Sequence, residues 1–111
     1  MPFGVPTVAK ASASIKETLK NKPEHRDYYN AAVYFLQEGQ DLKKAKEWIA
    51  KAIEGKDDAY WYFRQQSLIL AGLNDSAGAI ASAKKSLALA EKAGNPDYVR
   101  MNKASIAEWS K

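Results

Sequence analysis

The 111-residue sequence contains no cysteine and only one histidine. The lack of cysteine excludes disulfides and thiolate metal sites, and it is compatible with either a cytosolic or an exported protein. The single histidine, His25, has no nearby cluster of other ligands and so does not indicate a metal site. It stands at a predicted helix start, where we expect a surface residue. The sequence therefore predicts no metal and no other cofactor.

Long apolar runs and alternating β-branched segments are also missing. No apolar stretch approaches the length of about 18 residues that indicates a membrane span, so we expect no membrane insertion. The opening MPFGVPTVAK lacks a charged region followed by an apolar one, and no signal peptide is predicted from it. No segment sustains the two-residue alternation of a half-buried strand, which argues against a β-sheet.

The charged residues are mixed in sign. The formal net charge is +4, and lysines alternate with acids, as in KKAKE at 43–47. This pattern is typical of a solvated helix surface, so no nucleic-acid partner is predicted. The serines lack a nucleophile-elbow context. Asp57 and Asp58 are explained more simply by a helix N-terminus than by paired catalytic carboxylates. We therefore predict that the protein is not an enzyme.

The sequence is rich in helical periodicity, which glycine, proline and capping residues interrupt. Apolar residues recur at helical spacing, and Gly39, Gly55 and Pro96 mark boundaries between segments. The predicted helices cover about 7–21, 24–39, 42–54, 59–73, 75–93 and 96–110. Their predicted N-caps include Thr7, Asp41, Asp57 or Asp58, and Asp75 or Ser76. The predicted fold class is all-α, with about six helices in which short connections join antiparallel neighbours.

Two consecutive helix pairs, at about 24–54 and 58–93, are related by a shift of 34 residues. The shift superposes identical residues at the cap, the turn and the core faces: Tyr28 on Tyr62, Leu36 on Leu70, Asp41 on Asp75, Ala45 on Ala79 and Lys51 on Lys85. A period of 34 is that of the tetratricopeptide repeat. Ala45 and Ala79 match the small residue at which the two helices of such a repeat cross. The pairs thus resemble stacked, degenerate tetratricopeptide-like repeats, with flanking helices at 7–21 and 96–110.

A closer resemblance covers nearly the whole chain. It involves DYYNAAVYFLQEGQDLKKAKEWIAKAIE, AYWYFRQQSLILAGLNDSAGAIASAKKSLALAEKAGN and the terminal AEWSK. These segments resemble the C-terminal helical region of a bacterial exported family of unknown function, in which a β-rich domain precedes the helices. The resemblance implies that residues 1–6 are a linker or the remnant of a preceding domain and that 7–111 form a single helical repeat domain. It implies an exported or periplasmic location for the full-length protein, and no activity.

The run YWYF at 60–63 indicates a helix with neighbours on several sides, because consecutive helical residues point about 100° apart. In the repeat register, Phe63 falls on a core position and Trp61 on the concave groove. The groove positions are Asn30, Tyr34, Trp61, Arg64, Gln65 and Leu68. Aromatic, amide and arginine side chains suit a peptide ligand. The alternative is that the first or last helix covers the groove and Trp61 belongs to the core.

The function predicted from these features is a non-catalytic helical repeat module for protein–protein or intramolecular domain contact, with peptide binding in a concave groove as one form of it. Its partner would be a protein, a peptide or the chain's own missing domain. The alternative is an accessory helical part of a larger enzyme or binding protein whose site lies in a missing β domain. A third possibility is a spacer without a ligand.

Overall fold

A computed structural model describes residues 24–111, which form helices joined by short connections and contain no strand. The helices are α1 (His25–Gln37), α2 (Leu42–Gly55), α3 (Tyr60–Gly72), α4 (Ser76–Ala93) and α5 (Pro96–Trp109). The predicted all-α class is confirmed for this part of the chain. The described residues form five helices, not the six predicted for the whole chain; the predicted helix at 7–21 and the predicted linker at 1–6 lie outside them.

Local capping explains several of the helix boundaries. The Asp41 carboxylate accepts hydrogen bonds from the backbone N–H groups of Lys43 and Lys44, at 3.0 and 3.4 Å. Asp75 accepts one from the Gly78 N–H at 2.9 Å, so both carboxylates satisfy donors that the helix leaves unpaired. These two caps are as predicted.

The predicted cap of α3 by Asp57 or Asp58 is wrong. The N-cap residue is Ala59, which is fully buried and offers no side-chain acceptor. Asp58 lies outside the helix end, where its carboxylate is 3.2 Å from the Lys56 Nζ. Burial of the Ala59 methyl group therefore fixed the helix start one residue beyond the local capping signal.

The helices pack as antiparallel neighbours, most extensively α1 with α2, α3 with α4 and α4 with α5. The contact of α2 with α3 is smaller, and α1 also touches α3. In the core, the Phe35 and Trp48 rings meet edge to face, with centroids 4.7 Å apart. Ala45 and Ala79, which match the small residue at the helix crossing of the repeat, have no exposed surface. Phe63 is also buried as predicted, and the Lys85 Nζ of α4 lies 5.6 Å from its ring centroid.

The fully buried residues of the last two helices are small or polar rather than large and apolar. The buried residues of α4 are all alanines and serines: Ala79, Ser82, Ala83, Ser86 and Ala90. The only buried side chain of α5 is that of Asn102, which has no exposed surface. Packing of α5 thus combines close approach and hydrogen bonds with the half-buried side chains of Tyr98, Val99 and Ile106.

Five residues form a hydrogen-bonded cluster between α3, α4 and α5, which we call the Asn102 network. The Asn102 Nδ2 donates to the Ser86 Oγ at 2.8 Å, and the Ser86 hydroxyl donates to the Tyr60 carbonyl at 2.8 Å. The Arg64 Nη1 donates to the Asn102 Oδ1 at 3.2 Å and to the Ser105 Oγ at 2.7 Å. The three helices are thereby joined by hydrogen bonds between their buried polar groups.

Gly55, the last residue of α2, has no room for a side chain. A Cβ at this position would lie 2.6 Å from the His25 Cβ, an atom close to the α1 backbone. We expect Gly55→Ala to destabilise the fold by about 1–3 kcal/mol, because overpacking outweighs the gain in helix propensity of about 0.5–1 kcal/mol. Urea denaturation followed by circular dichroism would measure the difference.

The matched control is Gly72→Ala, since Gly72 also ends its helix. There a Cβ would meet only the Leu42 Cδ1, at 2.8 Å, and that terminal methyl group can rotate away. A Gly55→Ala variant as stable as wild type would contradict the tight contact between α1 and the end of α2.

Candidate functional site

A half-open cavity of about 430 Å³ lies where the starts of α1 and α3 meet the connection between α2 and α3. We call it the aromatic cavity. It is lined by His25, Arg26, Tyr29, Asn30, Lys56, Trp61 and Tyr62. Its lining combines aromatic rings, one amide and two cationic side chains, and it contains no carboxylate.

The wall between α1 and α3 is built around Tyr62. The Tyr29 and Tyr62 rings stack with centroids 4.5 Å apart and planes inclined by 19°. The His25 Nδ1 lies 2.8 Å from the Tyr62 hydroxyl oxygen, at hydrogen-bond distance. Tyr62 itself is buried, whereas Tyr29 and His25 are half-buried. Contacts with both α1 residues therefore hold Tyr62 as the rigid back of the cavity.

Trp61 lies at the accessible side of this wall. Its indole meets the rings of Tyr60 and Tyr62 edge to face, at centroid distances of 4.9 and 5.9 Å. The Lys56 Nζ lies 5.9 Å from the indole centroid, within the range of a cation–π contact. Trp61 is half-buried, so one part of its ring packs and another part faces solvent. Within residues 24–111, a ligand can therefore reach this side chain without unfolding of the helix.

The structure brings together only part of the predicted groove. Asn30 and Trp61 both line the aromatic cavity. Tyr34, Gln65 and Leu68 are half-buried and are not among its lining residues.

Arg64 occupies a different position from the one predicted. Its guanidinium binds Asn102 and Ser105 of α5, and burial lowers its pKa, against the opposing effect of Tyr98. Because α5 uses this guanidinium, Arg64 contributes to packing of the last helix in the described structure.

Five lining residues were missed by the sequence analysis: His25, Arg26, Tyr29, Lys56 and Tyr62. His25, expected on the surface, is half-buried. Lys56 comes from a connection, and the repeat register gives no position for connecting residues. Tyr62 was placed by that register, superposed on Tyr28, but it was not assigned to the groove. A useful signal was Gly55, because a glycine at a helix end can permit close approach of another helix.

The tyrosines of the cavity have raised pKa values. Burial raises the pKa of Tyr29, and the nearby Tyr98 and Tyr62 raise it further. Burial also raises the pKa of Tyr62, while the charges of Lys56 and Arg26 partly offset that effect.

These shifts predict a loss of stability in alkaline solution. The folded chain retains the Tyr29 and Tyr62 phenol protons at pH values where the unfolded chain has lost them, since both folded pKa values exceed the ordinary 10.0. The resulting stabilisation is fully present below pH 10 and is lost as pH rises through the folded pKa values. We expect the free energy of unfolding, measured in urea, to fall less between pH 9 and 11 in Tyr29→Phe/Tyr62→Phe than in wild type. Equal slopes would contradict this assignment.

Residues 24–111 contain no group of three or more histidine, aspartate or glutamate side chains placed to hold a metal ion. No helix within that range is both long and apolar enough to cross a membrane. No protein-family model matches the chain, and no curated protein shows significant sequence similarity to it.

Proposed function

We propose that the chain is a non-catalytic, tetratricopeptide-like helical module that binds an extended peptide segment of a protein partner on the face containing the aromatic cavity. The observation behind this proposal is the half-buried Trp61, which lies beside Asn30 and the stacked Tyr29–Tyr62 pair. Tryptophan and tyrosine are the residue types that most often dominate binding energy in interfaces. An asparagine amide beside them can both donate to and accept from a peptide backbone.

Helix spacing supports the repeat register of the proposal. The second helices of the two pairs, α2 and α4, begin at Leu42 and Ser76, which are 34 residues apart (76 − 42). Ala45 and Ala79 lie at the same position in these helices and are both fully buried. In a register of this type, the first helices of the pairs line a shared concave face, and α1 and α3 are the helices that supply the cavity's aromatic rings.

Trp61→Ala is expected to weaken peptide binding by about 2 kcal/mol or more, or about 30-fold, because it removes the central accessible ring. Peptides would be selected on the immobilised wild-type chain from a random phage-displayed library. Their dissociation constants would then be measured by fluorescence polarisation for wild type and variant.

Trp109→Ala is the matched control, because Trp109 is also half-buried but lies at the end of α5 and is not a cavity residue. Circular dichroism and thermal melting would establish that each variant is folded. Selected peptides that bind Trp61→Ala as tightly as wild type, or whose binding depends on Trp109 instead, would reject the proposed face.

A further inference from the structure

The charge of the aromatic cavity distinguishes it from another cavity of the fold. A cavity of about 600 Å³ between α2 and the end of α3 is lined by Lys43, Lys46, Glu47 and Asp75 along with apolar residues, so its charges cancel. In the aromatic cavity, Arg26 and Lys56 are the only charged lining residues besides the titratable His25. A negatively charged ligand would therefore meet two cations and no carboxylate among the lining residues of the aromatic cavity.

Both cations are accessible to a ligand. The side chains of Arg26 and Lys56 are 73% and 36% exposed. Their ion pairs are with exposed carboxylates, at 3.7 Å to Glu24 and 3.2 Å to Asp58. Exposed pairs of this kind contribute little free energy, so a ligand carboxylate can replace either partner at small cost.

The aromatic rings of the cavity favour a ligand that carries an apolar side chain next to its negatively charged group. Lys56 lies over the Trp61 indole, so an acidic group bound to the Lys56 ammonium would sit beside an aromatic surface. Tyr29 and Tyr62 extend that surface toward α1. An apolar side chain next to an acidic one would therefore gain burial and charge pairing together.

We infer that the aromatic cavity selects acidic peptide segments, in which glutamate or aspartate lies next to a large apolar residue, through Arg26 and Lys56. This inference rests on the proposed function and names its ligand class. A peptide is favoured over a nucleic acid because the cavity offers only two cations, whereas affinity for nucleic acid depends on contacts with many phosphates. Asn30 also supplies an amide suited to a peptide backbone.

The test uses the indole N–H signals of the complete, ¹⁵N-labelled chain. Its three tryptophans are Trp48, Trp61 and Trp109, and single tryptophan-to-phenylalanine variants would assign their signals. The probe is the blocked peptide acetyl-Gly-Glu-Glu-Leu-Phe-Glu-Glu-Gly-amide. Its controls are the same peptide with glutamine at every glutamate and the single-stranded octanucleotide of thymidine. We expect the acidic peptide to shift the Trp61 signal saturably while the buried Trp48 signal stays unchanged.

Charge dependence is tested with two double variants. Arg26→Gln/Lys56→Gln is expected to weaken binding of the acidic peptide about 5- to 10-fold, as expected for two exposed charge pairs. Lys43→Gln/Lys46→Gln removes the same net charge from the other cavity and is expected to leave the affinity unchanged. Raising the salt concentration should weaken binding to wild type and have less effect on Arg26→Gln/Lys56→Gln.

The outcomes separate this inference from the function on which it rests. Equal binding of the glutamine peptide at Trp61 would overturn the acidic class and would support a peptide-binding face. Tighter binding of the oligonucleotide than of the acidic peptide would overturn the inference in favour of nucleic acid. An unmoved Trp61 signal with the acidic peptide would also overturn it, and the library selection, which assumes no ligand charge, would then decide the proposed function alone.

Discussion

Asn102→Leu is expected to lower the free energy of unfolding by about 3 kcal/mol, although asparagine and leucine side chains branch at the same atom and have the same number of heavy atoms. Asn102 has no exposed surface; it accepts from Arg64 and donates to Ser86. Leucine would leave the buried Ser86 oxygen and the half-buried Arg64 guanidinium without this partner. The cost of an unsatisfied buried group is about 1–3 kcal/mol, and more where a charged group is involved.

The effect should be specific to the end of the chain that carries α5. Asn102 is the only buried side chain of that helix, and its loss removes hydrogen bonds of α5 with both α3 and α4. Amide hydrogen exchange would then increase first in α5, while the pair α1–α2 would stay protected. Urea denaturation and exchange measurements on the same variant give both readouts.

Two further variants distinguish an unsatisfied network from a simple loss of packing. Ser105→Ala removes only the second acceptor of Arg64 and should cost about 1 kcal/mol, the value typical of one hydrogen bond. Arg64→Leu/Asn102→Leu removes the charged donor together with its acceptor. It should be less destabilising than the sum of the two single variants by about 1 kcal/mol or more. Additive effects would show that Arg64 and Asn102 act independently.

The helices could be predicted from the sequence because their signals are local. Capping carboxylates at Asp41 and Asp75 and the proline at Pro96 act within a few residues of the boundaries they set. The α3 start shows the limit of this approach, since two adjacent carboxylates offered a cap and the burial of Ala59 overrode both. A single sequence contains no measure of that tertiary burial.

The candidate site was predicted only in part. The repeat register relates positions on the helices, whereas the cavity is also lined by a residue of the connection between α2 and α3. Trp61 and Asn30 lie on regular helical positions and were identified. Lys56 lies in a connection and was therefore missed. The Asn102 network was missed for another reason: no local feature of the sequence distinguishes a buried asparagine from an exposed one.

Arg64 was predicted to line the peptide groove because the repeat register applied the same 34-residue shift along the chain. Yet α4 has 18 residues where α2 has 14, and α5 begins 36 residues after α3 (96 − 60). The last helix is thereby placed where Asn102 and Ser105 bind that guanidinium.

Ala45→Leu and Ala79→Leu are each expected to destabilise the fold by about 1–3 kcal/mol, through overpacking. Both alanines are fully buried, with no solvent-exposed surface. Ala45 belongs to the core cluster that includes Ala31 and Ala32 of α1, where three small side chains allow the helices to approach closely. Leucine would add three carbon atoms to this space and force the helices apart.

Ala50→Leu and Ala81→Leu are the matched controls, because these alanines are exposed on the same two helices. They undergo the same chemical change without overpacking, and each should alter stability by less than about 0.5 kcal/mol. Ala45 and Ala79 belong to different helix pairs, so the double variant should lose about the sum of the single effects. Thermal and urea denaturation of the five variants would measure this. If Ala45→Leu and Ala79→Leu were as stable as the controls, the close helix approach on which the repeat register depends would be rejected.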